Sequence, residues 1–155
     1  MKFYFKDKTK NSKASDFKRI ARKVFKNLKI TDKIELGLKI TDNRETKKLN
    51  QKYRGVNQAT DVLSFPVDFP DKKVKKENLM LGDIIISVDK AKEYSRQACL
   101  ETSPSSVEAR KRENKKTTEE ELIELFKHGL LHLLGYDHKK NKKKWHDAEL
   151  KIVNC

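Results

Sequence analysis

A chain of 155 residues is long enough for one domain around one hydrophobic core. Hydrophobic residues make up only 35% of it and charged residues 39%, so the core has to be economical and the surface densely charged. No apolar run reaches the 18 or more residues a membrane helix needs, and MKFYFKDKTK at the start has no secretory-signal pattern. Cys99 and Cys155 make no disulfide framework, so reduced thiols in a cytoplasmic protein are expected. The formal charge of +14 points to a polyanionic partner, RNA first, because fixed Lys and Arg displace counterions from phosphates. A lysine-rich composition without function would give the same count.

In chain order, residues 2–5 alternate aromatic and polar, with Phe3 and Phe5 on one side, and predict a short strand. Phe17, Ile20, Ala21, Val24, Phe25 and Leu28 follow helical spacing after Ser15. They predict an amphipathic helix with Lys18, Arg19, Arg22, Lys23 and Lys26 outside. Ile34, Leu36, Leu38 and Ile40 predict a half-buried strand. Asp42 and Glu45 have capping-box spacing for a helix to about Tyr53. Thr60–Phe65 predicts a strand ended by Pro66. Leu81–Ser87, with three isoleucines in succession, predicts a strand covered on both faces. A helix is expected over Val88–Ala98, and then a mobile inserted loop over 99–117, where Ser, Pro and charge dominate. Thr117 and Thr118 before Glu119, Glu120 and Glu121 start a helix that runs to about Leu134 and stops at Gly135. A last helix follows, docked by Trp145, Leu150, Ile152 and Val153. The order predicts one α+β domain over residues 1–155, with helices packed on a small mixed sheet.

All four histidines fall in the last 28 residues, and three sit in His128-Gly-Leu-Leu-His132-Leu-Leu-Gly135-Tyr-Asp-His138. Positions four apart lie on one helix face, so His128 and His132 can aim at one point, and a turn at Gly135 can return His138 to it. Three imidazoles with a fourth position open form a catalytic zinc pattern. The expected cofactor is one Zn²⁺ ion, although three imidazoles accept other divalent metals. Leu122, Ile123, Phe126, Leu130, Leu133 and Leu134 make the expected core face, with His128 and His132 on the opposite side between Leu125 and Leu131. The spacing matches the H-E-x-x-H-x-x-G-x-x-H zinc-peptidase pattern except that Gly129 replaces the glutamate base. Peptide hydrolysis by that mechanism is not expected.

The segment 128–138 resembles the signature of the YbeY family of bacterial endoribonucleases, also called rRNA maturation factors. Three further segments agree in the same order: Leu49-Asn-Gln-Lys-Tyr-Arg-Gly55, Thr60-Asp-Val-Leu-Ser-Phe-Pro66 and Leu81-Gly-Asp-Ile84. The resemblance implies metal-dependent, single-strand-specific RNA cleavage, small-subunit rRNA 3′-end processing and ribosome quality control. It implies a small, mostly parallel sheet, taken as four-stranded, with helices on its faces and the metal site at the end of the central helix in a positive groove. It also implies that His128, His132 and His138 are the metal ligands and that Arg54 is the functional arginine. The partners expected are single-stranded RNA, rRNA and the small ribosomal subunit, with no membrane.

Chemistry supports these roles separately. A planar guanidinium at Arg54 can pair with two phosphoryl oxygens. Asp83 and Asp137 are candidates to orient a ligating histidine through a carboxylate–imidazole bond, and Asp61, Asp83 and Asp137 stand unranked as proton acceptors. The basic run Lys139–Lys144 departs from the acids that the resemblance would lead one to expect, and His146 has no matching role. Two other functions fit the same residues less well. One is a non-catalytic rRNA- or ribosome-binding assembly factor with a structural zinc; the other is a peptide or ester metallohydrolase.

Overall fold

The alternation of Phe3 and Phe5 with polar residues gives β1 (Lys2–Asp7), two residues longer than expected. After it come α1 (Ala14–Asn27), β2 (Ile34–Thr41), α2 (Asn43–Arg54), β3 (Val62–Pro66), β4 (Leu79–Ser87), α3 (Val88–Leu100), α4 (Thr118–Leu133) and α5 (Lys142–Ile152). The computed structural model describes residues 1–9, 12–30, 33–69, 78–100 and 116–152. The strands form one mixed sheet in the order β1-β2-β4-β3, parallel except for the antiparallel edge strand β3. The α+β, mostly parallel four-stranded architecture matches expectation. Of the loop expected at 99–117, residues 101–115 lie outside the described residues, and α3 extends through 99 and 100. Cys155 and Val153 also lie outside them. Among the described residues, no helix is long and apolar enough to cross a membrane.

One sheet face is the core. Phe3 and Phe5 of β1 meet Phe17 of α1 and Phe126 of α4, with Phe17 and Phe126 edge-to-face at 5.3 Å. Ile84 and Ile86 are buried in it, whereas Ile85 is only half-buried, so β4 is not fully covered on its second face. That second face carries α2, whose Tyr53 contacts Phe65 edge-on at 4.9 Å. Helix α4 is buried around more of its circumference than its apolar stripe predicts: Leu125 and Leu131, expected beside the histidines, are buried too. In α5, Trp145 and Ile152 dock, but Leu150 is 59% exposed and His146 points outward near Glu149.

Helix α4 and the sheet approach closely at Gly129. A side-chain carbon there would lie 2.8 Å from Ile84 Cγ2 and 3.1 Å from Ser64 Oγ. The Ser64 hydroxyl donates to the Gly129 carbonyl at 3.2 Å, which ties helix to strand across the gap. The residue that replaces the peptidase glutamate therefore faces the sheet, and no larger side chain fits without displacing packed atoms.

Both predicted helix starts form, with one difference. Thr117 and Glu120 make the complete reciprocal box at α4. At α2, Asp42 accepts from the Glu45 backbone N–H at 2.8 Å, but the Glu45 carboxylate does not return the bond. It is taken by Lys8, Lys39 and Thr41 instead. Hydrogen bonds from Lys39, Lys8 and Thr41 hold its pKa down at about 2. Asn43 adds two ties, its backbone N–H donating to Asp89 at 2.9 Å and its side chain accepting from Ser87 at 2.7 Å.

Two outcomes follow. Gly129→Ala should lower stability in urea unfolding by about 1–3 kcal/mol, although alanine has the higher helix propensity by about 1 kcal/mol. Glu45→Gln should cost about 1–2 kcal/mol at neutral pH. Because the folded-state pKa is depressed, the wild-type advantage should be complete above pH 4.5 and disappear as pH falls through about 2.

Candidate metal centre

Helix α4 ends in a way that builds the site. Gly135 takes a left-handed φ of 84°. The Gly135 N–H donates to the His132 carbonyl and the Tyr136 N–H to the Leu131 carbonyl, both at 3.0 Å, which is a Schellman closure. The chain then turns back. The Asp137 carboxylate accepts from the Lys139 backbone N–H at 2.8 Å and its carbonyl from Asn141 at 2.9 Å. Asn141 in turn caps α5, accepting from the Lys144 backbone N–H at 3.0 Å. His138 sits inside this succession of turns and is carried back towards the helix.

The three expected ligands come together. One nitrogen from each of His128, His132 and His138 lies within 4.8 Å of the others, and the Nε2 atoms of His128 and His132 are 3.1 Å apart. Two nitrogens about 2.1 Å from one tetrahedral ion are about 3.4 Å apart, so the set fits a single ion that leaves a fourth position free. Burial, followed by the neighbouring imidazoles, holds His128 and His132 below the usual histidine pKa. Neutral imidazole is the form that ligates. His132 also lies in the last turn of α4, where the helix dipole favours a cation.

The triad has two sides. On one, the indole of Trp145 closes the site, with ring centroids 4.8 Å from His128, 5.0 Å from His132 and 5.1 Å from His138. Trp145 is only 7% exposed. On the other, the three rings line a cleft of about 750 Å³ together with Arg54, Tyr53, Asp61 and Phe69. The open edge strand β3 runs along this cleft, all of Val62–Pro66 contributing. Arg54 reaches it from the end of α2, close enough that its charge acts on His132.

The candidate carboxylates separate. Asp137 lines the cleft and acts electrostatically on His132, while its hydrogen bonds go to the turn that carries His138. Those backbone bonds from Lys139, with the Lys140 charge, lower its pKa. Asp61 also lines the cleft, accepting from Val62 N–H at 2.8 Å and Thr60 at 3.0 Å, and its charge reaches His128. Asp83 is not brought to the histidines. It lies on the other sheet face, over Gly37, where a side-chain carbon would come within 1.9 Å of it. Trp145 was legible in sequence only as a docking residue; its partners depend on how α5 folds back.

The chain is similar over most of its length to proteins of one family. The family model described as Endoribonuclease YbeY matches residues 2–102 and 100–153. Endoribonuclease YbeY of Persephonella marina is 36% identical over 126 residues, 81% of this chain and 70% of that one. That of Clostridioides difficile is 38% identical over 128 residues, 79% and 72% of the two chains. A Thermotoga maritima protein solved in solution is similar with a TM-score of 0.55 at 25% identity, over 97% of this chain and 86% of its own.

The chain has one tryptophan, so its fluorescence reports this site alone. Titration with Co²⁺ or Cu²⁺ should quench Trp145 emission at a 1:1 endpoint. His132→Ala should lose that response and the bound metal measured by elemental analysis.

Proposed function

Because the chain belongs to the YbeY endoribonuclease family, we propose that it is a zinc-dependent endoribonuclease that cuts single-stranded RNA. We place its action in the maturation of small-subunit rRNA at the 3′ end and in ribosome quality control, in the cytoplasm. The observation that carries this reading is the sharing of one cleft by Arg54 and the three histidines. A divalent ion held by His128, His132 and His138 would supply Lewis acidity towards a phosphoryl oxygen and towards water. The chain's own groups do the rest.

Phosphodiester cleavage builds negative charge on the non-bridging oxygens, and the Arg54 guanidinium pairs with two of them in its plane. Asp137 keeps His138 in register by holding the turn around it, and Trp145 keeps the rings from swinging away from the cleft. The exposed lysines Lys139 and Lys140 at the cleft rim attract the polyanion. Gly129 leaves the site without the carboxylate that a peptidase of this spacing uses. The charge of +14 suits a phosphodiester substrate better than a neutral peptide.

Purified protein loaded with zinc should cleave single-stranded RNA, and a chelator or His132→Ala should abolish cleavage. Arg54→Ala should reduce kcat by roughly two to three orders of magnitude while metal content stays stoichiometric. Cleavage that separates from the protein on fractionation, with ribosome binding retained, would instead identify an assembly factor with a structural metal.

A further inference from the structure

The cleft presents aromatic surface that the cleavage chemistry does not use. Tyr53 is 57% exposed and Phe69 54% exposed, and both line the cleft that contains the triad. Tyr53 is held, with the Lys52 ammonium over its ring, yet more than half of it stays exposed. Its contact with Phe65 is edge-on, at 65° between ring planes. The Lys52 ammonium lies 5.2 Å from its ring centroid. Its sequence neighbour is Arg54, the one guanidinium among the residues lining the cleft. A fixed, exposed ring in a basic cleft is the arrangement on which unpaired bases stack, and every base has a face to offer it.

We propose that Tyr53 is a stacking platform for one unpaired nucleobase of the substrate, beside the phosphate that Arg54 and the triad engage. The proposal rests on the RNA-cleavage reading and deepens it. A base inside a duplex already has both faces covered by its neighbours. A platform beside the scissile phosphate therefore selects single strands by competition with base stacking, without reading sequence. The cleft volume of about 750 Å³ is in the range that encloses a ligand of nucleotide size. Phe69, lying over Gly135, is the second exposed ring of the cleft; its position beside the turn to His138 puts it nearer the metal ligands.

The test compares the wild type with Tyr53→Ala and Tyr53→Phe on a single-stranded oligoribonucleotide, and on a set carrying one abasic site moved stepwise past the cut. Tyr53→Ala should raise KM roughly tenfold and change kcat by less. Tyr53→Phe should recover most of the loss, since the face of the ring and not the hydroxyl is required. At one abasic position the wild type and Tyr53→Ala should become equal, which a merely structural role would not produce. Equal KM values for wild type and Tyr53→Ala, failure of Tyr53→Phe to recover binding, or a gap that persists at every abasic position would each overturn the proposal. Fluorescence anisotropy of the labelled oligonucleotide on metal-loaded protein gives the same comparison without turnover. If the wild type binds the strand through Tyr53 but does not cut it, the nuclease reading fails and the platform stands.

Discussion

Helix α4 meets the sheet where it has no side chain, and the direction of each imidazole on that helix follows from the contact. With Gly129 against Ile84 and Ser64, rolling the helix would displace packed atoms, so His128 and His132 are held at the cleft beside the edge strand. A roll of one residue, about 100°, would bury one of them in the core. The same contact explains why a histidine pattern shared with peptidases does not carry the peptidase base. His128 and His132 stand four residues apart and His138 lies beyond a left-handed turn, a set that could hold one metal ion. The residue after the first ligand is free to serve another purpose, and here it serves packing.

The site is assembled from elements on opposite faces of the sheet. The histidines come from the core side, and Arg54 and Tyr53 from α2 on the other face, reaching round β3 because β3 is an edge. An edge strand buried between neighbours would have separated these groups. Its exposure, usually a liability for aggregation, is what joins the two halves here. Trp145 then packs against all three imidazoles and is itself almost fully buried.

Much of this was legible in the residues. Helical spacing gave His128 and His132, Gly135 gave the stop and the left-handed turn, and Thr117 with Glu120 gave the start of α4, because each is a local rule. What escaped was decided over distance. The Asp42–Glu45 box is only half made because Lys39 on β2 and Lys8, just past the end of β1, compete for Glu45 with the local backbone N–H. Asp83 alternates with Ile84 and Ile86 as any strand residue would, but only the packing of α4 decides which of the two faces carries the histidines. Leu150 reads as a docking residue by composition, yet α5 turns Trp145, Ala148 and Ile152 inward. The contact of Trp145 with all three imidazoles needs the return path through Asn141, which no spacing rule supplies.

The grip on Glu45 has a mechanical side. Helix α2 is clamped at its first turn by Lys8 and Lys39 and by Ser87 and Asp89, while Arg54 stands at its far end, about 16 Å away along the axis. The helix is a lever arm with its fulcrum in the sheet. A tilt of about 4° at the clamp swings the guanidinium by about 1 Å, and an error of that size in a reacting group can cost on the order of a hundredfold in rate. The Glu45 carboxylate, which is not among the residues lining the cleft, thereby helps set where the Arg54 guanidinium enters it.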